Sequence, residues 1–464
     1  MTGRPPARRR GGPAGRRPGP ARPAPRREAD PARRVAYDLL RAVDERDAYA
    51  NLTLPALLRE RGLTGRDAAF ATELGYGTLR AAGALDEFLA RCADRPVEAI
   101  DPAARAALRL GAYQLLRTRV PPHAAVSATV DLAPRRAAGF VNAVLRRLAR
   151  QDWDAWVAEV APPDELGRLA LRHAHPRWIA AAFADALGGD LAETAALLAA
   201  DNEPAQVTLV ARPGRSTVAD LVADGAEQAR WSPYAAVLPA GDPGRLARVR
   251  DGRAGVQDEG SQLVALALAA APVDGRDEHW LDLCAGPGGK AALLAAVGAV
   301  RGARLLAAEV APHRAGLVRS TLGGTGDVVV ADGRAPAWPP GVFDRVLVDA
   351  PCTGLGALRR RPEARWRRRP EDVPALAALQ RELLGAALDA VRPGGVVAYV
   401  TCSPHLAETG TVVSDVLRRH PGVERVDARP LLPGVPDLGA GPHVQLWPHR
   451  HGTDAMYLAL LRRT

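Results

Sequence analysis

The stretch WLDLCAGPGGK, from Trp280 to Lys290, decides the fold. Its first five residues form an apolar run of the kind found in a buried strand. The run opens directly into Gly286, Gly288 and Gly289, and helix-forming residues resume at about Lys290. Glycines let a backbone approach a ligand closely, and the helix start behind them offers unpaired N–H groups to an anion. This is not the nucleotide P-loop, because Ala291 follows the lysine where Ser or Thr is required and the glycine spacing is wrong. Nor does it fit GxGxxG. A carboxylate suits the loop as well as a phosphate does.

Outward from the loop the pattern repeats. RLLAAE (304–309), DVVVAD (327–332), DRVLVDAP (344–351) and GVVAYVTC (395–402) are further apolar runs, separated by helical stretches. Buried runs alternating with helices predict a parallel, doubly wound α/β sheet over 256–464. In such sheets ligands sit beyond the carboxyl ends of the strands. Asp282, Glu309, Asp332 and Asp349 stand at four successive strand ends. Any one of them alone is an ordinary turn residue. Together with the glycine loop they fit an adenosyl ligand whose amino-acid end meets the loop and whose ribose meets Glu309.

The chain has four cysteines, Cys92, Cys284, Cys352 and Cys402. They are too few for a disulfide framework, and without a CxxC pair no metal site is expected. A lone cysteine is ordinarily a small buried hydrophobe. Cys352 in DAPCTG and Cys402 in TCS differ, since each lies where a strand opens into the expected cleft. A thiolate there has a use. Carbon 5 of cytosine is a poor nucleophile, but adding sulfur to carbon 6 makes the ring an enamine that can take an electrophilic methyl group. A nearby acid must stabilise the pyrimidine, and Asp349 in DAPC is placed for it. An adenine N6 methylase would show DPPY or NPPY instead.

At 464 residues, 47% hydrophobic and 25% charged, the chain is globular and long enough for two to four domains. It has no apolar run of transmembrane length and no secretory signal, so a cytoplasmic protein with no membrane partner is expected. The net charge of +10 is uneven: residues 1–27 hold nine Arg and no acid, which leaves 53 basic against 52 acidic residues elsewhere. Residues 1–29, rich in Arg, Pro and Gly, should be a disordered tail, either merely solvated or a nonspecific tether to nucleic acid. Lys290 is the only lysine among 62 basic residues, which hints that its site needs a compact ammonium. Residues 30–150 read as all-helical, with Asp-Pro starts at Asp30 and Asp101. Residues 151–255 read as a helical linker followed by a small α+β unit.

These motifs resemble those of the RsmB (Fmu/Sun) family of RNA 5-methylcytosine methyltransferases. VQDEGSQLV, DLCAGPGGK, AAEVAPHR, VVADGR, DAPCTGLGALRRRPEARW, YVTCSP and HGTDAMY occur in family order, and FVNAVLRR (140–147) resembles the RNA-binding fold of the antitermination factor NusB. The resemblance implies a multidomain chain: an N-terminal all-α NusB-like domain and a C-terminal α/β Rossmann-like, class I S-adenosylmethionine-dependent methyltransferase domain. It also implies that Cys402 is the nucleophile, that Cys352 assists product release, and that Asp349 contacts the target cytosine. Cofactor contacts would come from Cys284, Ala285, Gly286, Pro287, Gly288, Gly289, Lys290, Glu309, Asp332 and Asp349. The substrate would be small-subunit rRNA, of the 16S cytosine 967 type, and a monomer is the default state. Two departures stand out. Glu309 replaces the usual Asp, and GTDAMY replaces GTDGFF, which questions the packing near the C-terminus.

Residues 359–369 contain seven Arg with Trp366 among them. Following DAPC directly, Arg359, Arg360, Arg361, Arg365 and Trp366 are expected to grip unstacked RNA through phosphate contacts and stacking. Since a flipped base must leave its stack, free or partly assembled RNA is the expected form of the substrate. Two competing readings remain. One is a NusB-like RNA- or protein-binding factor with an inactive catalytic domain. The other is a DNA cytosine methyltransferase, whose family takes its nucleophile from the PC motif and carries an ENV motif missing here.

Overall fold

The computed structural model describes residues 1–3 and 30–464. The expectation of a disordered tail falls almost entirely outside them. The first ordered unit is a helical bundle of α1 (Pro31–Arg46), α2 (Ala50–Glu60), α3 (Gly65–Ala93), α4 (Pro102–Arg117), α5 (Pro122–Leu132) and α6 (Ala138–Leu148). The Asp30 carboxylate caps α1 at the Arg33 N–H, and Asp101 caps α4 at Ala103 and Ala104, each with proline at the first helical position. Val35, Leu39, Leu85, Leu108 and Leu145 fill the core.

That core does not stop at residue 150. Helix α7 (Trp153–Val160) inserts Trp153 and Trp156 against Phe88, with ring centroids 5.1 and 6.0 Å apart. Helices α8 (Glu165–Arg172), α9 (Arg177–Ala186) and α10 (Leu191–Ala200) follow. Next comes a four-stranded antiparallel sheet of β1 (Val207–Ala211), β2 (Glu227–Gln228), β3 (Ala235–Leu238) and β4 (Ala254–Val256), in the order β2-β3-β1-β4.

The C-terminal unit is built on β5 (His279–Asp282), β6 (Arg304–Glu309), β7 (Asp327–Val330), β8 (Phe343–Asp349), β9 (Val391–Thr401), β10 (Val423–Val426), β11 (Val444–Gln445) and β12 (Tyr457–Arg463). The order is β10-β12-β9-β8-β5-β6-β7, with β11 pairing on β12. All five apolar runs of the sequence are strands, and they pair in parallel. The sheet is nevertheless mixed, because β12 runs antiparallel between β9 and β10. The chain leaves β5 for β6 and β7, then crosses to β8 on the other side. This reversal opens a crevice at the carboxyl ends of β5 and β8. Register places Asp282 opposite Leu347 and Asp349 opposite Val400, two residues before Cys402.

The GTDAMY departure packs without a gap. Ala455 and Met456 are buried, the Ala455 N–H donates to the Gly356 carbonyl at 2.9 Å, and Tyr457 meets Tyr399 edge-on at 6.3 Å.

Candidate active site

The glycine loop is held from outside by Glu309. Its Oε2 accepts from the Gly286 N–H at 3.1 Å and its Oε1 from the Ala311 N–H at 3.0 Å. A Cβ at Gly286 would stand 2.1 Å from that carboxylate, so only glycine fits. Gly288, at φ +115°, adopts backbone that L side chains rarely take, and the helix Gly289–Val300 starts immediately after it. The two hydrogen bonds leave Glu309 with spare acceptor positions for hydroxyls. Asp332 is different. Arg334 clasps both its oxygens, at 3.0 and 2.7 Å, and holds its carboxyl down to about 2. A cofactor contact from Asp332 would share its partly exposed carboxylate with Arg334.

Lys290 points from the first turn of this helix to Asp349, donating from Nζ to Oδ2 at 2.8 Å. Burial opposes its charge, but the attraction and hydrogen bond of Asp349 outweigh that and raise its pKa. Asp282, behind the loop, is 1% exposed, and burial followed by the repulsion of Asp349 pushes it up to about 8. The Cys284 thiol is pushed well above the usual value, by burial and then by Asp282, Asp349 and Glu309.

The Cys352 and Cys402 sulfurs lie 3.5 Å apart, both partly exposed at the crevice. The hydrogen bond from Cys352 lowers the pKa of Cys402. Burial and Asp349 oppose it, and Lys290 and Arg361 add to it. The same interaction, with burial, drives Cys352 well above the usual thiol value. The pair is therefore asymmetric, with Cys402 the more acidic of the two thiols.

Sequence reasoning missed the residue that holds the two thiols together. Glu408 is fully buried; its Oε1 accepts from the Thr353 N–H at 2.8 Å and the Gln380 amide at 3.1 Å. Its Oε2 accepts from Ser403 Oγ at 2.7 Å and from Thr353 Oγ1. Thr353 and Ser403 each follow a cysteine, so one carboxylate ties both loops. Its only signal was a lone acid six residues beyond Cys402.

The arginine segment requires correction. Arg365 is completely buried and bonds the Ala174 carbonyl at 2.9 Å, Asn202 at 2.8 Å and the Asp201 carbonyl at 3.1 Å. Trp366 donates to the Leu79 carbonyl at 2.9 Å, and its ring fills the space a side chain would need at Gly83. Arg359 is buried against the Gly452 carbonyl, and Arg360 pairs with Asp258 at 2.7 Å and Asp454 at 3.0 Å. Arg365 and Trp366 join the helical bundle to the catalytic unit, and Arg359 and Arg360 tie the segment to the catalytic unit's own C-terminal turn, so these side chains are engaged within the protein. The physical reason is desolvation: guanidiniums that find carbonyls and carboxylates can cross a domain interface. Arg361 alone of the five named stays exposed, and its charge reaches Cys402.

This geometry has counterparts. The family described as 16S rRNA methyltransferase RsmB/F matches residues 267–462, and the NusB family matches residues 30–150. A Mycobacterium tuberculosis protein named only as a methyltransferase is 62% identical over 448 residues, covering 94% of this chain and 98% of its own. The ribosomal RNA small subunit methyltransferase B of Pseudomonas putida is 35% identical, covering 85% of this chain and 91% of its own. The chain belongs to the RsmB/F methyltransferase family. The crystal structure of PH0851 shares the fold at a TM-score of 0.77 and 24% identity, over 94% of this chain and 99% of that one.

As an RsmB/F enzyme it is an S-adenosylmethionine-dependent RNA methyltransferase, and its residues fit that cofactor. Asp282 Oδ2 is buried without a hydrogen-bond partner, and so are both amide atoms of Gln257, which lies against Gly289. A carboxylate lacking a donor beside a glycine loop suits the ammonium of an amino acid. Residues 284–290, Asp282 and Glu309 would hold the cofactor, which supplies an electrophilic methyl group. Among the described residues no helix is long and apolar enough to cross a membrane.

Proposed function

We propose that this enzyme forms 5-methylcytosine in small-subunit rRNA, with Cys402 as the nucleophile, and the 3.5 Å pair of unlike thiols carries the reading. The Cys402 thiolate bonds to carbon 6, and negative charge moves onto the pyrimidine. The Lys290–Asp349 pair, 2.8 Å across, faces the same crevice and meets that charge with a hydrogen bond. The activated carbon 5 takes up the methyl group. Transfer of the carbon 5 proton to solvent in the open crevice then restores the carbon 5–carbon 6 double bond and expels the Cys402 sulfur with the electron pair of the sulfur–carbon bond. Cys352 S–H, already bonded to the departing sulfur, stabilises it as a thiolate. Arg361 is the RNA contact of the cleft mouth. The small-subunit substrate follows the names of the relatives, and the 16S cytosine 967 type is the finer expectation. The substrate is free or partly assembled RNA, because unstacking a base costs a few kcal/mol that a packed subunit increases.

Bisulfite sequencing of 16S rRNA after incubation with enzyme and S-adenosylmethionine tests the assignment. One newly protected cytosine is expected, formed faster on naked RNA than on mature subunits. Methylation at nitrogen or ribose, with no protected cytosine, would overturn it.

A further inference from the structure

Between the C-terminal end of α4 and the segment after α10 lies an open cleft of about 570 Å³. That is the size of small-ligand sites, roughly 300–1,000 Å³. Arg80 of α3 and Arg117 and Arg119 at the end of α4 line it, facing Glu73 and Glu203. Glu73 is already engaged by the Tyr113 hydroxyl at 2.5 Å. A narrower recess of about 40 Å³ shares Arg80, Arg117 and Asn202 with the cleft and adds Arg172. The lining is thus basic, although the folded body as a whole is close to neutral.

Arg80 is the informative residue. It is 7% exposed, its Nε has no hydrogen-bond partner, and no carboxylate lies within ion-pair distance of it among the described residues. A buried guanidinium short of partners is unfavourable unless an anion arrives from outside. Arg117 is held in place, with its guanidinium 4.7 Å over the Trp153 ring. The planar forks of such residues match phosphate oxygens.

A short segment leads from the cleft to the catalytic unit. The cleft wall at Glu203 and Pro204 leads to Gln206, whose carbonyl accepts from Arg360 at 3.1 Å. Two residues on, the Thr208 carbonyl accepts from the N–H of Gln257, the residue lying against the glycine loop.

We propose that this cleft binds a backbone phosphate of the substrate RNA through Arg80, Arg117 and Arg119. The inference rests on the enzyme acting on RNA. It supplies the RNA contact of the helical bundle that the buried arginine segment does not provide.

The test measures binding of a fluorescent small-subunit rRNA fragment to the full chain across a salt series. Arg117→Gln with Arg119→Gln, both exposed positions, should weaken binding about 10- to 30-fold at low salt. The slope of log Kd against log salt should fall by roughly one for each phosphate that is no longer neutralised. Methyl transfer at limiting RNA should fall by the same factor. Arg136→Gln, exposed on the same bundle outside the cleft, should change neither quantity. Unchanged affinity and slope in the double variant would overturn the proposal, and so would an equal weakening in Arg136→Gln, which would show only bulk charge. If the parent enzyme methylates no RNA in the same assay, the functional reading fails instead. If it does methylate and the cleft variants match it, only this inference fails.

Discussion

The Cys352 and Cys402 sulfurs share one hydrogen bond across 3.5 Å, and it shifts the ionisation of the two thiols in opposite directions. The two residues therefore fail differently when removed. Cys402→Ala should lower turnover by roughly 10³-fold or more, since the neighbouring Cys352 thiol is held well above the usual thiol range and is the poorer nucleophile. Cys352→Ala should still attack RNA but release it slowly, leaving a covalent complex that survives a denaturing gel. Equal activity of parent and both variants would falsify the assignment of roles.

The depressed Cys402 has a pH signature. Alkylation by iodoacetamide follows the thiolate, so its rate should rise with pH and level off below the ordinary thiol range of about 8.5. Cys352→Ala removes the largest cause of the lowering, so the inflection should move to higher pH. An inflection that stays in place would show that the neighbouring thiol does not act on Cys402.

Lys290 tests the need for an ammonium. Lys290→Arg keeps the charge but not the compact shape that fits between Asp349 and the crevice, and kcat should drop roughly 10²-fold. Lys290→Met should also raise the Cys402 pKa, because one of the groups that lower it is gone. Stopped-flow methyl transfer and the alkylation profile read the two effects separately.

Glu408→Gln replaces an acceptor of four hydrogen bonds by a group that also donates. At least one buried partner is left unpaired, at a cost of about 1–3 kcal/mol. A lowered Tm with a parallel loss of kcat is expected. Loss of activity at unchanged Tm would indicate a direct chemical role instead.

Arg365→Met leaves Asn202 and the carbonyls of Arg80, Ala174 and Asp201 without their donor. Calorimetry should then resolve two transitions where the parent shows one, as the helical bundle uncouples from the catalytic unit. A single transition at the parent temperature would show that the clamp is dispensable.

The catalytic sheet was legible because a parallel strand buried on both faces is a continuous apolar run, and five such runs stand in the sequence. The strand Tyr457–Arg463 was not, since its antiparallel pairing with Val391–Thr401 is long-range. The acidic strand ends and both cysteines were readable from position alone. Burial was not: seven arginines around one tryptophan look the same in sequence whether solvated or buried. Only the carbonyls of Leu79, Ala174 and Asp201, distant along the chain, decide it. Glu408 was unreadable for the same reason, as its partners lie up to 55 residues away.

With Arg365 and Trp366 seated in the helical bundle, the loop that carries Cys352 is anchored to a rigid body. The span from bundle to thiolate is then a fixed length, and the enzyme works as a caliper. With a phosphate held in the proposed cleft, a nucleotide would be chosen by its distance from that contact, and lengthening or shortening the RNA between them should move the mark.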